Sequence, residues 1–190
     1  RWRELPRMSQ AVLLFLVMVA GINMIAALAP VIGVDELIYR LAAAKLYLMH
    51  ERLLYIPSMV FHQQPQHIQM IQLWGLSLGS ESTTQVVQCS MGFLLLLALI
   101  TLARRAMPIT WSLLSGAILY TYSDVIVLSG RASPDLANGL WMVLAIIAWL
   151  HWVETGIERW MLVAGALAGL FAAGARLPGA YGAIGLVMLV

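Results

Sequence analysis

Three carboxylates and four basic side chains carry the chemical content of this sequence. Asp35 and Glu36 stand side by side, Asp135 follows far downstream, and Lys45, His62, Arg131 and Arg176 are distributed among and after them. A carboxylate within hydrogen-bond reach of a hydroxyl can take its proton and make it a nucleophile. Cations beside a departing group stabilise the negative charge that develops on it. Hard divalent cations prefer carboxylate oxygens, so Asp35 with Asp135 suits magnesium or manganese. His62 added to them suits zinc. Each residue also has a plainer reading. Asp35 caps a helix, and Glu36 pairs with Arg40 at i,i+4. Lys45 snorkels at an interface, and Arg176 anchors the end of a span. Asp135 caps the helix after Pro134, and His62 and His67 line a turn.

The elements that must position these groups are membrane helices. The chain has 190 residues, 62% hydrophobic and 11% charged, with a mean hydropathy of +0.87. A soluble domain carries about 25% charged residues, so a soluble globular domain, a disordered segment and a secreted disulfide scaffold are excluded. Cys89 is alone and makes no internal disulfide. A net charge of +2 offers nothing to a nucleic acid. Apolar runs at 11–29, 86–103, 108–130, 136–153 and 161–175 read as spans, and 178–190 as a partial sixth, against a requirement of about 20 residues each. The expected fold is therefore an all-α integral membrane protein: a single module over 1–190 with about six transmembrane helices, part of a longer chain. Arg1, Arg3 and Arg7 before an apolar run that ends Ala27-Leu28-Ala29 resemble a signal peptide, but Pro30 directly after the site favours a retained anchor.

The outer loop, 30–85, is about 55 residues long and carries two interfacial helices in this reading. The first covers 35–50, with Leu37, Leu41, Ala44 and Leu48 on one stripe. The second covers 66–78 and ends at Gly79. Lys45 lies ten residues after Asp35, about 15 Å along a continuous helix, too far to share one small site with it. Arginine clusters at 1–7 and 104–105, with Arg159, put the N-terminus in the cytoplasm. Asp35, Glu36, Lys45, His62, Asp124, Arg131, Asp135 and Arg176 then share the outer face, with Asp124 near the end of the third span. His151 sits at the inner end of the fourth span.

The run Gly33-Val34-Asp35-Glu36-Leu37-Ile38-Tyr39-Arg40, then Lys45-Leu46-Tyr47, Pro57, Pro65 and Leu78-Gly79-Ser80-Glu81, resembles the first outer loop of the C-superfamily glycosyltransferases. These are polytopic enzymes such as the aminoarabinose and protein-mannosyl transferases. Asp135 matches the second acid of that family, and Arg176 after the Ala/Gly-rich 164–175 matches its closing cation. The resemblance covers most of the chain. It implies a bacterial inner-membrane transferase that takes a sugar from a polyprenyl-phosphate donor on the outer face, with inversion at the anomeric carbon. Asp35 and Glu36 would be catalytic, with Asp35 the base. Tyr39, Lys45, Arg131, Asp135 and Arg176 would bind substrate. A divalent metal is an open question, since family members differ. Two features depart from the family: its members run to several hundred residues, and Ser133-Pro134 stands where an aromatic is commoner.

A second reading is a non-catalytic, transferase-like subunit that packs with partners in a larger membrane complex. A transporter is disfavoured by the lack of a visible repeat or discontinuous helix pair. A pigment subunit is disfavoured by having only His151 at the edge of a span.

Overall fold

In lipid, a helix is the one open segment that satisfies its own backbone hydrogen bonds, and the long apolar runs obey that rule. The computed structural model describes residues 4–57 and 67–174, apart from the Tyr39 side chain, and every regular element among them is helical. Helix α1 covers Arg7–Ala27. A π-helical turn, Glu36–Arg40, runs straight into α2, Leu41–His50. Then come α3 (His67–Leu78), α4 (Glu81–Ala103), α5 (Ile109–Tyr120), α6 (Ser123–Ser129), α7 (Asp135–Thr155) and α8 (Glu158–Gly174).

Helices α1, α4 and α7 are 21, 23 and 21 residues long and strongly apolar. At a rise of about 1.5 Å per residue they match a hydrocarbon core of about 30 Å. Among the described residues, three helices are thus long and apolar enough to cross a membrane, or four if α5 and α6 form one broken span. Helix α8 has 17 described residues, and the expected sixth span lies outside the described residues. Leu16 of α1, Leu95 and Leu96 of α4, Leu113 and Tyr120 of α5, and Leu136 and Leu140 of α7 form the common core. Helix α8 packs antiparallel on α7 through a turn at Gly156, whose φ of +67° is the left-handed position that favours glycine after a helix.

Two expectations are corrected. The run at 108–130 is not one straight helix, and a bent, discontinuous helix pair does exist. Helices α5 and α6 meet at 73°. The Thr121 hydroxyl donates back to the Ala117 carbonyl at 2.7 Å, a side-chain competition that bends helices, and Tyr122 leaves helical geometry with ψ of 132°. Asp124 therefore sits in the first turn of α6, where the helix dipole favours an acid, and not near the end of a straight span.

The stripe expected along 35–50 is also altered. The Leu41 amide bonds to the Glu36 carbonyl, the i→i+5 pattern of a π turn. That wider turn shifts the register. Glu36, Arg40, Leu41, Ala43, Ala44 and Tyr47 face inward, whereas Leu37 and Leu48 are exposed. The second loop helix appears as α3, packed against both α2 and α4.

Candidate functional site

The chain leaving α1, the π turn and the α6–α7 connection meet at one end of the bundle. They enclose a cavity of about 400 Å³ whose polar lining comprises Asp35, Glu36, Arg40, Arg131, Ser133 and Asp135. Three acids and two arginines from segments far apart in sequence thus share one volume. Its apolar support is a small cluster of Val31, Leu41 and Ala132.

The two adjacent acids differ in their surroundings. The Asp35 side chain is 63% exposed, and its Oδ2 lies 3.7 Å from Nη2 of Arg40, whose own side chain is 9% exposed. Arg40 thus makes an ion pair with Asp35, and its charge also acts on Glu36, the i,i+4 partner expected for it. Glu36 is 1% exposed, and neither carboxylate oxygen makes a hydrogen bond of good geometry. Burial pushes its carboxyl above the usual carboxylate range. The Ala132 amide, the Arg131 and Arg40 charges and the Gly33 amide pull weakly the other way. The carboxylate lies where a Cβ on residue 33 would stand, so a side chain there would displace the Glu36 carboxylate.

The opposite wall is held by buried amides. Gln72 of α3 donates to the Ala132 carbonyl at 2.9 Å, and Gln85 of α4 donates to the Gly130 carbonyl at 2.9 Å. Thr84 donates to the Gln72 carbonyl at 3.3 Å, which ties α3 to α4. The Ser133 amide returns to the Arg131 carbonyl at 2.9 Å, and the Ser133 hydroxyl donates to the Asp135 carboxylate. These bonds fix the loop that carries Arg131. Asp135 is the first residue of α7 and the acid of its first turn, with Pro134 at the N-cap position.

Other candidates lie elsewhere. Lys45 forms an ion pair with Glu81 at the start of α4 and does not line the cavity, in keeping with its distance along the helix from Asp35. His67 is not part of a polar turn. It begins α3 and is half-buried, and burial lowers its pKa. His62 and Arg176 lie outside the described residues, as does the Tyr39 side chain. Among the described residues no three His, Cys, Asp or Glu side chains come together as a metal-ligand set.

Arg40 emerges as a wall of the cavity and not merely a helix partner. Gln72, Gln85 and Ser133 were not among the candidates. The available signal was an amide side chain near the start of an apolar run, as at Gln85: buried amides in apolar surroundings must find partners. Comparison with protein-family models, with curated proteins and with solved structures found no match for this chain.

Proposed function

We propose that the chain is a membrane glycosyltransferase-like protein that moves a sugar from a polyprenyl-phosphate donor to a hydroxyl or amine acceptor in this cavity. One observation supports the reading: a buried carboxylate, Glu36, without a hydrogen bond of good geometry, lines one cavity with the guanidinium groups of Arg40 and Arg131. In this proposal Glu36, rather than the more exposed Asp35, is the general base. The acceptor oxygen or nitrogen attacks the anomeric carbon as its proton passes to Glu36. The carbon–oxygen bond to the phosphate breaks, and its electron pair leaves on the phosphate oxygen. Arg131 and Arg40 offset the charge on that phosphate. Asp35 holds Arg40 in position, and Asp135, oriented by Ser133, contacts the acceptor. No step requires a metal.

The same reading has six spans with α2 and α3 lying in the interface, an exposed Trp74 and Leu78 on α3 facing lipid, a cytoplasmic N-terminus, and a cavity on the outer face of a bacterial inner membrane. The test uses the protein in its native membranes with radiolabelled polyprenyl-phosphate sugars, reading release of free polyprenyl phosphate. Turnover that Glu36→Gln abolishes is the expected result. No turnover, or equal turnover in the variant, overturns the proposal and favours a non-catalytic subunit.

A further inference from the structure

At the other end of the bundle a second cavity, of about 350 Å³, opens between α7 and α8. Its walls are Leu144, Ile147, Ala148, Val163 and Leu167, with Arg105, His151 and Trp160 at the polar end. Ligand sites begin at about 300 Å³, so the volume suffices for part of a small amphiphile. We propose that this groove binds one acidic phospholipid, with the phosphate at Arg105 and Trp160 and an acyl chain along α7 and α8.

Three observations support that occupant. First, Trp160 has a buried indole N–H with no acceptor. Trp141 and Trp149 share that lack, but of the three only Trp160 lines this groove. A buried donor needs a partner, and a phosphate oxygen is a strong one. Second, the charge around the mouth is positive. Arg105 Nη1 bonds to Glu154 at 2.8 Å, which uses one of five donors on the guanidinium. Arg104 and Arg159 are exposed beside it, against Glu154 and Glu158. Arg159 stands 6.0 Å from the Trp160 ring centroid, and His151 packs edge-on to that ring at 4.8 Å, so the indole is held on two sides. Third, the first turns of α8 beside the groove are apolar and exposed at Met161, Leu162 and Val163, of which Val163 lines the groove. A polar rim over a lipid-facing slot matches a phospholipid and not a free anion.

The test is native mass spectrometry of the purified protein, released from detergent after incubation with phosphatidylglycerol or phosphatidylcholine. Wild type should retain one phosphatidylglycerol against an excess of phosphatidylcholine. Millimolar inorganic phosphate should not displace it. Trp160→Phe with Arg105→Gln removes donors but keeps the ring and should lower retention by about tenfold or more. Leu144→Phe with Leu167→Phe fills the slot while leaving every charge and should lower it as well, so a folding defect in the first variant cannot decide the matter. Equal retention of both lipids, displacement by free phosphate, retention unchanged in both variants, or no lipid retained because another protein segment fills the groove would each overturn the proposal.

Discussion

The two ends of this helix bundle both gather arginines beside a cavity of similar size, yet they treat their carboxylates in opposite ways. At the α7–α8 end, Glu154 is exposed and bonded to Arg105 at 2.8 Å. At the α1–α6 end, Glu36 is buried and left without a good hydrogen bond, while its neighbour Asp35 faces water and holds Arg40. An exposed ion pair is worth little, about 0–1 kcal/mol. A buried carboxylate without a good hydrogen bond is held at the expense of stability, which is why the proposed reaction is placed on it. The number of charges does not separate the two ends; how each charge is partnered does.

The sharpest way to break this contrast is to neutralise both acids. Glu36→Gln should lower transfer by about 100-fold to 10,000-fold, the usual contribution of a general base. Glu154→Gln should leave transfer unchanged and alter stability by less than about 1 kcal/mol. Similar effects of the two substitutions on turnover would remove the distinction.

Gly33→Ala tests the seat of the carboxylate rather than the carboxylate itself. The added methyl occupies the space of the Glu36 oxygens, and a displacement of about 1 Å can lower a rate by about 100-fold. Helical content by circular dichroism should stay at the wild-type level while turnover falls.

The pH dependence follows from the same burial. Burial pushes the Glu36 carboxyl up from the ordinary carboxylate value, and in the proposed role it must be ionised to act as base. Transfer should therefore rise with pH through that elevated value. Stability should run the other way. The folded state binds the proton more tightly than the unfolded chain, so this contribution is fully present at low pH. It is lost as pH climbs from the unfolded value through the folded one. Thermal melts of Glu36→Gln should lack that slope, and a wild-type slope of opposite sign would contradict the burial argument.

The loop that carries Arg131 gives a smaller effect. Gln72→Leu leaves the Ala132 carbonyl without its donor and should cost about 1–3 kcal/mol, seen as a lower melting temperature together with reduced turnover. The smallest effect concerns α2, which ends on Glu51 with φ of +53°. Glu51→Gly relieves that left-handed residue and should stabilise the fold by about 1 kcal/mol without touching turnover. A destabilised Glu51→Gly would show that the side chain does more than end the helix.

Much of the architecture was legible along the chain. The apolar runs predicted α1, α4 and α7, since length and hydrophobicity alone decide whether a helix can cross a bilayer. Asp35, Glu36, Arg131 and Asp135 were legible as charged residues beside spans, and they do line one cavity. Lys45 was legible as too far from Asp35, because helical rise is a local quantity. The bend between α5 and α6 was not, because Thr121 bonds to its own helix in a way that any threonine can. The π turn was equally hidden, and it decides which of two adjacent acids is buried. Residue type and order thus determined the helices and the charges available to them. Only tertiary packing decided that Glu36 lies over Gly33 without a hydrogen bond of good geometry, and that Gln72 and Gln85 hold the Arg131 loop. Burial and hydrogen-bond partnership depend on what other segments bring to a place, and no local pattern in the chain encodes that.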